Sequence, residues 1–268
     1  MIELFDVNRR EEQRQSSKGN QQKWLQEGNW YKADYTGYEG LVEYMISHLL
    51  KKSSLLENEF VLYDTEILKY NAAKFRGCKS TDFLPEGWNL ITLERLFQNR
   101  YGQSLYKSIY KIQSYENRLE FIVNQTIRMT GLEDFGAYMS QLLTIDAFFL
   151  NEDRHTHNIA VLMDDVGKFH YCPFFDHGAG LLSDLTIDYP LDRDVEDGIK
   201  CAVAKTFCRS FEEQLEIAEK MYGQKMKFAF TMKDVEELLN KEKYYSDEIK
   251  DRVRQILGWQ YRKYQYLF

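Results

Sequence analysis

Two short stretches of this chain hold side chains in an order that could do chemistry. Asp153-Arg154-His155-Thr156-His157-Asn158 sets an asparagine five residues after an aspartate, between the apolar runs 147–150 and 159–163. Phe175-Asp176-His177-Gly178 follows a second short run, 169–174. Transfer of a phosphoryl group to a hydroxyl needs a carboxylate that orients the hydroxyl and takes its proton. It also needs an asparagine and a second aspartate that hold magnesium against the nucleotide phosphates. An Asp-x-x-x-x-Asn loop, then a hairpin, then Asp-x-Gly supplies those groups in that order. Asp and Asn are also ordinary turn residues, because both hydrogen-bond nearby backbone. The reading therefore rests on the two motifs together, separated by one predicted hairpin. It makes Asp153 the candidate base, and Asn158 and Asp176 the candidate magnesium ligands.

The elements that would position these groups are legible around them. Lys23-Trp24-Leu25, a Gly28-Asn29 turn and Trp30-Tyr31-Lys32-Ala33-Asp34 read as a β-hairpin, with Lys32 on the face opposite Tyr31 and Ala33. Residues 39–50 place Leu41, Tyr44, Met45, His48 and Leu49 at helical spacing, and Glu39 and Glu43 lie one turn apart on one face of that helix. Residues 60–70 and 72–78 read as paired strands, followed by a polar link over 79–86. Helical patterns follow at 93–97, 106–130 and 134–150, and again at 195–209, 211–222, 233–240 and 246–264. The class is α+β, with a small β-rich lobe over 1–84 and a larger, mostly helical lobe over 85–268 that embeds the two motifs.

Asp-Arg-His-x-x-Asn followed by Asp-His-Gly resembles the catalytic core of the HipA-like, phosphatidylinositol-kinase-like branch of the protein kinase superfamily. The likeness is to its stand-alone, CtkA-like bacterial serine/threonine kinases. The resemblance implies a bilobal protein-kinase-like fold, ATP and Mg2+ as cofactors, and a protein Ser or Thr as acceptor. It gives Asp153 the role of orienting and deprotonating the acceptor hydroxyl and Lys32 that of holding the nucleotide phosphates. A carboxylate on the following helix should hold Lys32; Glu39 and Glu43 both qualify, and the family pattern, in which a Glu opens this helix, favours Glu39. Ser16, Ser17, Lys18 and Gly19 stand where the phosphate-covering loop belongs, with one glycine in place of the three of classical kinases. Polar backbone turns can still cradle an anion there. By analogy with kinase hinges the 79–84 link, with Thr81 and Phe83, meets the adenine. Autophosphorylation at Ser16 or Ser17 is implied in the same way. The same loop occurs in lipid and small-molecule kinases, and a nucleotide-binding pseudokinase acting as a scaffold or toxin-antitoxin partner is the reading from a different class.

Composition bounds these readings. The chain has 268 residues, 44% hydrophobic and 15% aromatic, with three prolines, as in a globular protein with sizeable cores. A net charge of -7 argues against general nucleic-acid binding. No basic or amphipathic membrane face and no apolar run of membrane-spanning length is present, so a lipid acceptor is disfavoured and a cytoplasmic location is expected. Four cysteines lack metal or redox spacing. His155 and His157 read as structural, His155 beneath the loop and His157 near solvent. The acidic run 184–197 reads as a solvated segment in the activation-segment position, and the aromatic 259–268 end as core. A regulatory partner protein is compatible with all of this.

Overall fold

The computed structural model describes residues 1–10 and 21–268. Ser16, Ser17, Lys18 and Gly19 lie outside the described residues. The chain divides into two compact units, Met1–Phe83 with Phe175–Ala202 and Phe228–Phe268, and Leu84–Phe174 with Val203–Lys227.

The first unit is built on a six-stranded sheet. Its strands are β1 (Ile2–Leu4), β2 (Arg9–Arg10), β3 (Lys23–Gln26), β4 (Asn29–Ala33), β5 (Asp64–Tyr70) and β6 (Ala73–Thr81), in the order β1-β5-β6-β4-β3-β2. Among the described residues only the β1–β5 pair within this sheet is parallel. Trp24, Tyr31, Ala33, Leu4 and Leu68 form one apolar cluster. Alternation along β3 and β4 therefore sends Lys23 and Lys32 to the other face. Helix α1 (Glu39–Leu50) is the predicted one, and its first turn meets the sheet through two glycines. A Cβ on Gly40 would come within 2.5 Å of the Gly77 backbone in β6, so a side chain there would lift the helix off the strands.

β6 runs on through 79–81, where the sequence suggested a polar link, because these residues ladder against β4 as far as Thr81 opposite Asn29. β1 was not anticipated. Its three residues gain their order from pairing with β5. The unit is completed by three helices, α6 (Val195–Cys201), α8 (Met232–Lys241) and α9 (Asp247–Lys263). Only part of the aromatic end is core as the sequence suggested: Tyr264 and Leu267 are buried and Tyr261 and Phe268 make ring contacts with Phe230, whereas Trp259 and Tyr266 are exposed.

The second unit holds a three-stranded antiparallel sheet, β7 (Asn89–Thr92), β8 (Ala160–Met163) and β9 (Phe169–Tyr171), in that order. Its helices are α2 (Leu93–Tyr101), α3 (Leu105–Ile109), α4 (Tyr115–Thr130), α5 (Phe135–Phe149) and α7 (Phe211–Tyr222). The expected continuous helix over 106–130 is two helices. Ser114 stops the first pattern and starts a new helix by accepting the Asn117 N–H on its hydroxyl. The pattern over 195–209 likewise ends at Cys201, since Val203 and Thr206 are engaged by the 150–158 loop. α5 is apolar on all sides, as a helix surrounded by its own core must be. No helix among the described residues is long and apolar enough to cross a membrane.

Candidate active site

Lys32 is 7% exposed in the middle of β4, a depth at which an ammonium needs partners. It has three. Its Nζ lies 2.7 Å from Glu43 Oε1, 2.7 Å from Asp176 Oδ1 and 5.0 Å from the centre of the Tyr63 ring. Burial opposes the charge on Lys32, but Asp176 and Glu43 outweigh it and raise its pKa well above that of a free lysine. The ammonium is therefore fixed in its charged form.

The partner on α1 is Glu43 and not Glu39, which the family pattern favoured. Glu39 is spent at the helix start, where its carboxylate accepts the Thr36 N–H and hydroxyl, each at 2.8 Å, and the Gly37 N–H at 3.2 Å. Glu43 sits one turn deeper, and the close Gly40–Gly77 approach lets it reach Lys32. Its second oxygen accepts the His177 N–H at 3.0 Å, so one buried carboxylate fixes both the lysine and the Asp-His-Gly backbone.

Asp176 itself has φ of 60°, in the left-handed region that Asp tolerates better than most residues. Such backbone persists where surroundings hold it, and it concentrates at functional sites. Here Phe175, the residue before Asp176, is anchored by packing. Its ring lies 5.6 Å from that of Phe83, beside the buried Val61, Tyr63 and Cys78. Phe83, the residue expected at the hinge, thus packs on the residue before Asp176. Thr81 ends β6, and the Asp82 N–H that follows donates to the Gly28 carbonyl at 2.8 Å.

In the second unit the Asp153–Asn158 loop is pinned from beneath. Leu150 closes α5 with φ of 55°, and Asn151 turns back so that its N–H and side-chain amide bond Asp146, at 2.9 and 2.8 Å. Arg154 grips Asp146 through Nε at 2.9 Å and Nη2 at 3.1 Å, and its Nη1 donates to the Asn158 carbonyl at 2.9 Å. Both side chains of this pair are almost wholly buried. Burial raises the Asp146 pKa, and the Arg154 guanidinium pulls the other way. Above this clamp the Asn158 amide donates to the Asp153 carbonyl at 2.8 Å and to Asp153 Oδ2 at 3.1 Å. The loop thus couples the candidate base to the candidate metal ligand.

Glu94 holds the same loop from the side. It accepts the Thr156 hydroxyl at 2.8 Å while its N–H donates to the Thr156 carbonyl. Burial works against the Glu94 carboxylate, but bonds from Ser104, the Tyr106 N–H and Thr156 keep its pKa below the usual range.

His155 and His157 are both partly buried, their rings edge-on at 5.5 Å, with His155 Nε2 3.6 Å from Asp153 Oδ1. Among the described residues no group of three or more His, Cys, Asp or Glu is placed to hold a metal ion. The donors expected for magnesium are instead an aspartate and an asparagine. Both offer hard oxygens, which suit that ion. Three positioning residues, Glu94, Asp146 and Lys23, escaped the sequence reading. Asp146 had a signal, since a charge inside an otherwise apolar helix must be paired. Lys23, 3.9 Å from Asp176 Oδ2, had none beyond its place in the hairpin.

The fold has a counterpart among solved structures. The Helicobacter pylori proinflammatory kinase CtkA matches 98% of this chain and 94% of its own, with a TM-score of 0.60 and 13% sequence identity. The fold is kinase-like and bilobal. At that identity the likeness concerns fold. No protein-family model and no curated protein sequence matches the chain.

Proposed function

We propose that the protein is an ATP- and magnesium-dependent kinase that transfers the γ-phosphoryl group to Ser or Thr of a protein. The observation that carries this reading is the buried Lys32 held between Glu43 and Asp176, with Asp176 in strained backbone before His177-Gly178. A buried cation that shares two carboxylates on a kinase-like fold is the arrangement phosphoryl transfer uses to hold nucleotide phosphates. CtkA, which shares the fold, is a proinflammatory kinase, and this adds support.

The proposed roles follow from the chemistry of each side chain. Lys32 binds phosphate oxygens, and Glu43 keeps it aimed. Asp153 orients the acceptor hydroxyl and takes its proton. Asp176 and Asn158 supply oxygen ligands for magnesium, which when bound neutralises charge on the phosphates. The ammonium of Lys32 stands 2.7 Å from Asp176 Oδ1, and this pairing with a cation supports the role proposed for that oxygen. Phe83 borders the adenine. Ser16 and Ser17 are proposed autophosphorylation sites. A phosphate there would place about -1.5 to -2 charges beside the nucleotide phosphates and inhibit.

The test is incubation with labelled ATP and magnesium, alone and with candidate proteins, followed by mass spectrometry for phosphosites. Phosphoserine or phosphothreonine that disappears in Asp153→Asn is the expected result. No transfer to any acceptor or to the chain itself counts against the reading.

A further inference from the structure

Helix α1 carries Glu43, and two side chains of one strand hold that helix. Lys32 lies in β4 and Asp34 just beyond its end, two residues on, so both leave the same face of the sheet. The strand direction continues at Asp34, whose N–H donates to the Arg76 carbonyl of β6 at 2.8 Å. Lys32 meets Glu43 at 2.7 Å, and Asp34 Oδ1 accepts the Gly40 N–H at 2.7 Å. Three residues advance a helix by about 4.5 Å and two advance a strand by about 6.6 Å, so these contacts are neighbouring rungs between the same two elements. The Asp34 rung also stands in for a cap, because Tyr38 at the N-cap position gives the first turn of α1 no side-chain bond. What fixes Asp34 comes from the far end of the chain. The Tyr245 hydroxyl donates to Asp34 Oδ2 at 2.8 Å, and the Arg76 guanidinium lies over the Tyr245 ring, 5.0 Å from its centre. Tyr245 is buried, and Glu242 holds the turn that presents it by accepting the Tyr244 and Tyr245 N–H groups at 2.7 and 3.0 Å. The same C-terminal stretch meets α1 farther along. The Tyr44 hydroxyl donates to the Leu238 carbonyl at 3.4 Å, and just past the helix the Ala229 N–H donates to the Lys52 carbonyl at 2.7 Å.

We propose that Tyr245 is a positioning residue for the Lys32–Glu43 pair, acting through Asp34 and the first turn of α1. Without the Tyr245 hydroxyl one oxygen of Asp34 loses its fixed donor, and the carboxylate is free to turn from the Gly40 N–H. The first turn of α1 then loses its hold on β4. A helix moves as one piece over so short a distance, so Glu43, one turn farther on, draws away from Lys32. Residues 228–268 in this way set the seat of the helix that aims the lysine. The consequence for nucleotide rests on the proposed function, whereas the positioning of the pair does not.

The test reads the pair directly. Brief acetylation of the full chain with acetic anhydride, followed by mass spectrometry, gives the reactivity of Lys32 relative to the exposed Lys74 of β6. MgATP affinity is measured on the same proteins. Tyr245→Phe keeps the ring beneath Arg76 and removes only the hydroxyl, and Asp34→Ala removes the same link from its other end. In Tyr245→Phe, Lys32 should react about fivefold faster and MgATP should bind about fivefold more weakly, the worth of one hydrogen bond. Added to Asp34→Ala, Tyr245→Phe should change neither value further. Equal Lys32 reactivity in wild type and Tyr245→Phe overturns the proposal, and so does a further rise when Tyr245→Phe is added to Asp34→Ala. If Tyr245→Phe fails to fold by circular dichroism, Asp34→Ala decides, and unchanged Lys32 reactivity there overturns the proposal. Raised Lys32 reactivity with unchanged MgATP affinity supports the positioning and counts against Lys32 as a phosphate-binding residue. A wild-type protein that binds no MgATP overturns the kinase reading, while the acetylation result still decides the role of Tyr245.

Discussion

Glu43 is the residue on which most converges, because one buried carboxylate holds a buried ammonium with one oxygen and the Asp-His-Gly backbone with the other. Removing one partner of a buried pair costs up to about 3–5 kcal/mol, and here Asp176 would remain beside Lys32 while the His177 N–H loses its carboxylate. Glu43→Gln should therefore destabilise the protein by up to that amount and abolish nucleotide-dependent turnover. Glu39→Gln, which weakens bonds at a helix start, should cost about 1 kcal/mol and leave turnover measurable. Chemical denaturation and phosphotransfer assays on the two variants would check the assignment; equal effects would return Glu39 to contention. Asp153 poses a different question, since the charge it carries serves the acceptor. Asp153→Asn should keep the fold and most of the affinity for MgATP while losing nearly all transfer, measured as turnover against nucleotide titration. Lys32 brings no pH dependence near neutrality. Its folded pKa is raised, so its contribution to stability fades only as pH climbs through that raised value.

Among the elements, α5 and the loop after it act as one piece through Asp146. The carboxylate satisfies both Asn151 and Arg154, and Arg154 passes the constraint on to Asn158. Asp146→Ala strands a buried guanidinium and should cost about 3–5 kcal/mol in urea unfolding. A loss below 1 kcal/mol would mean the clamp is not what orders the loop. At the other end of the chain's first unit, Asp34 joins three elements. It follows β4, accepts the Gly40 N–H of α1 at 2.7 Å, and accepts the hydroxyl of Tyr245, which precedes α9, at 2.8 Å. Burial, with Glu39 nearby, raises its pKa to about 7, against hydrogen bonds and Arg76 that lower it. A carboxyl with a raised folded pKa binds its proton more tightly folded than unfolded. Its contribution to stability is full at about pH 4 and below, and it is lost as pH rises to about 7. Denaturation midpoints across that window should fall with rising pH in wild type and flatten in Asp34→Asn. A slope unchanged by the substitution would exclude Asp34 as its source.

For the molecule as a whole, net charge and local charge oppose each other. A chain of net charge -7 repels a polyanion at long range, so the proposed nucleotide binding needs a local cationic arrangement such as Lys23 and Lys32 on one sheet face. Binding only to the folded state stabilises it by mass action, about 2.7 kcal/mol at a hundred times Kd. Saturating MgATP should accordingly raise the thermal midpoint by several degrees, and ATP with a chelator should raise it less. No shift under either condition would count against nucleotide binding by this fold. The likeness to CtkA at 13% identity has a physical counterpart: packing tolerates wide substitution if volume and pattern are kept.

The amino-acid sequence alone determined what depends on local pattern. Apolar spacing was enough for α1 at Glu39–Leu50, for α7 at Phe211–Tyr222 and for the β3–β4 hairpin, because helix and strand periods are short-range properties. The order of the two motifs was enough to single out Asp153, Asn158 and Asp176 as candidates. What lay beyond it were choices made by contacts between distant segments. Glu39 and Glu43 share one helical face, and only the approach of Gly40 to Gly77 decided which reaches Lys32. Lys23 is an ordinary strand lysine until Asp176 is brought beside it. β1 and the extension of β6 through Thr81 exist because partner strands complete their hydrogen bonds, a condition no window of local sequence contains.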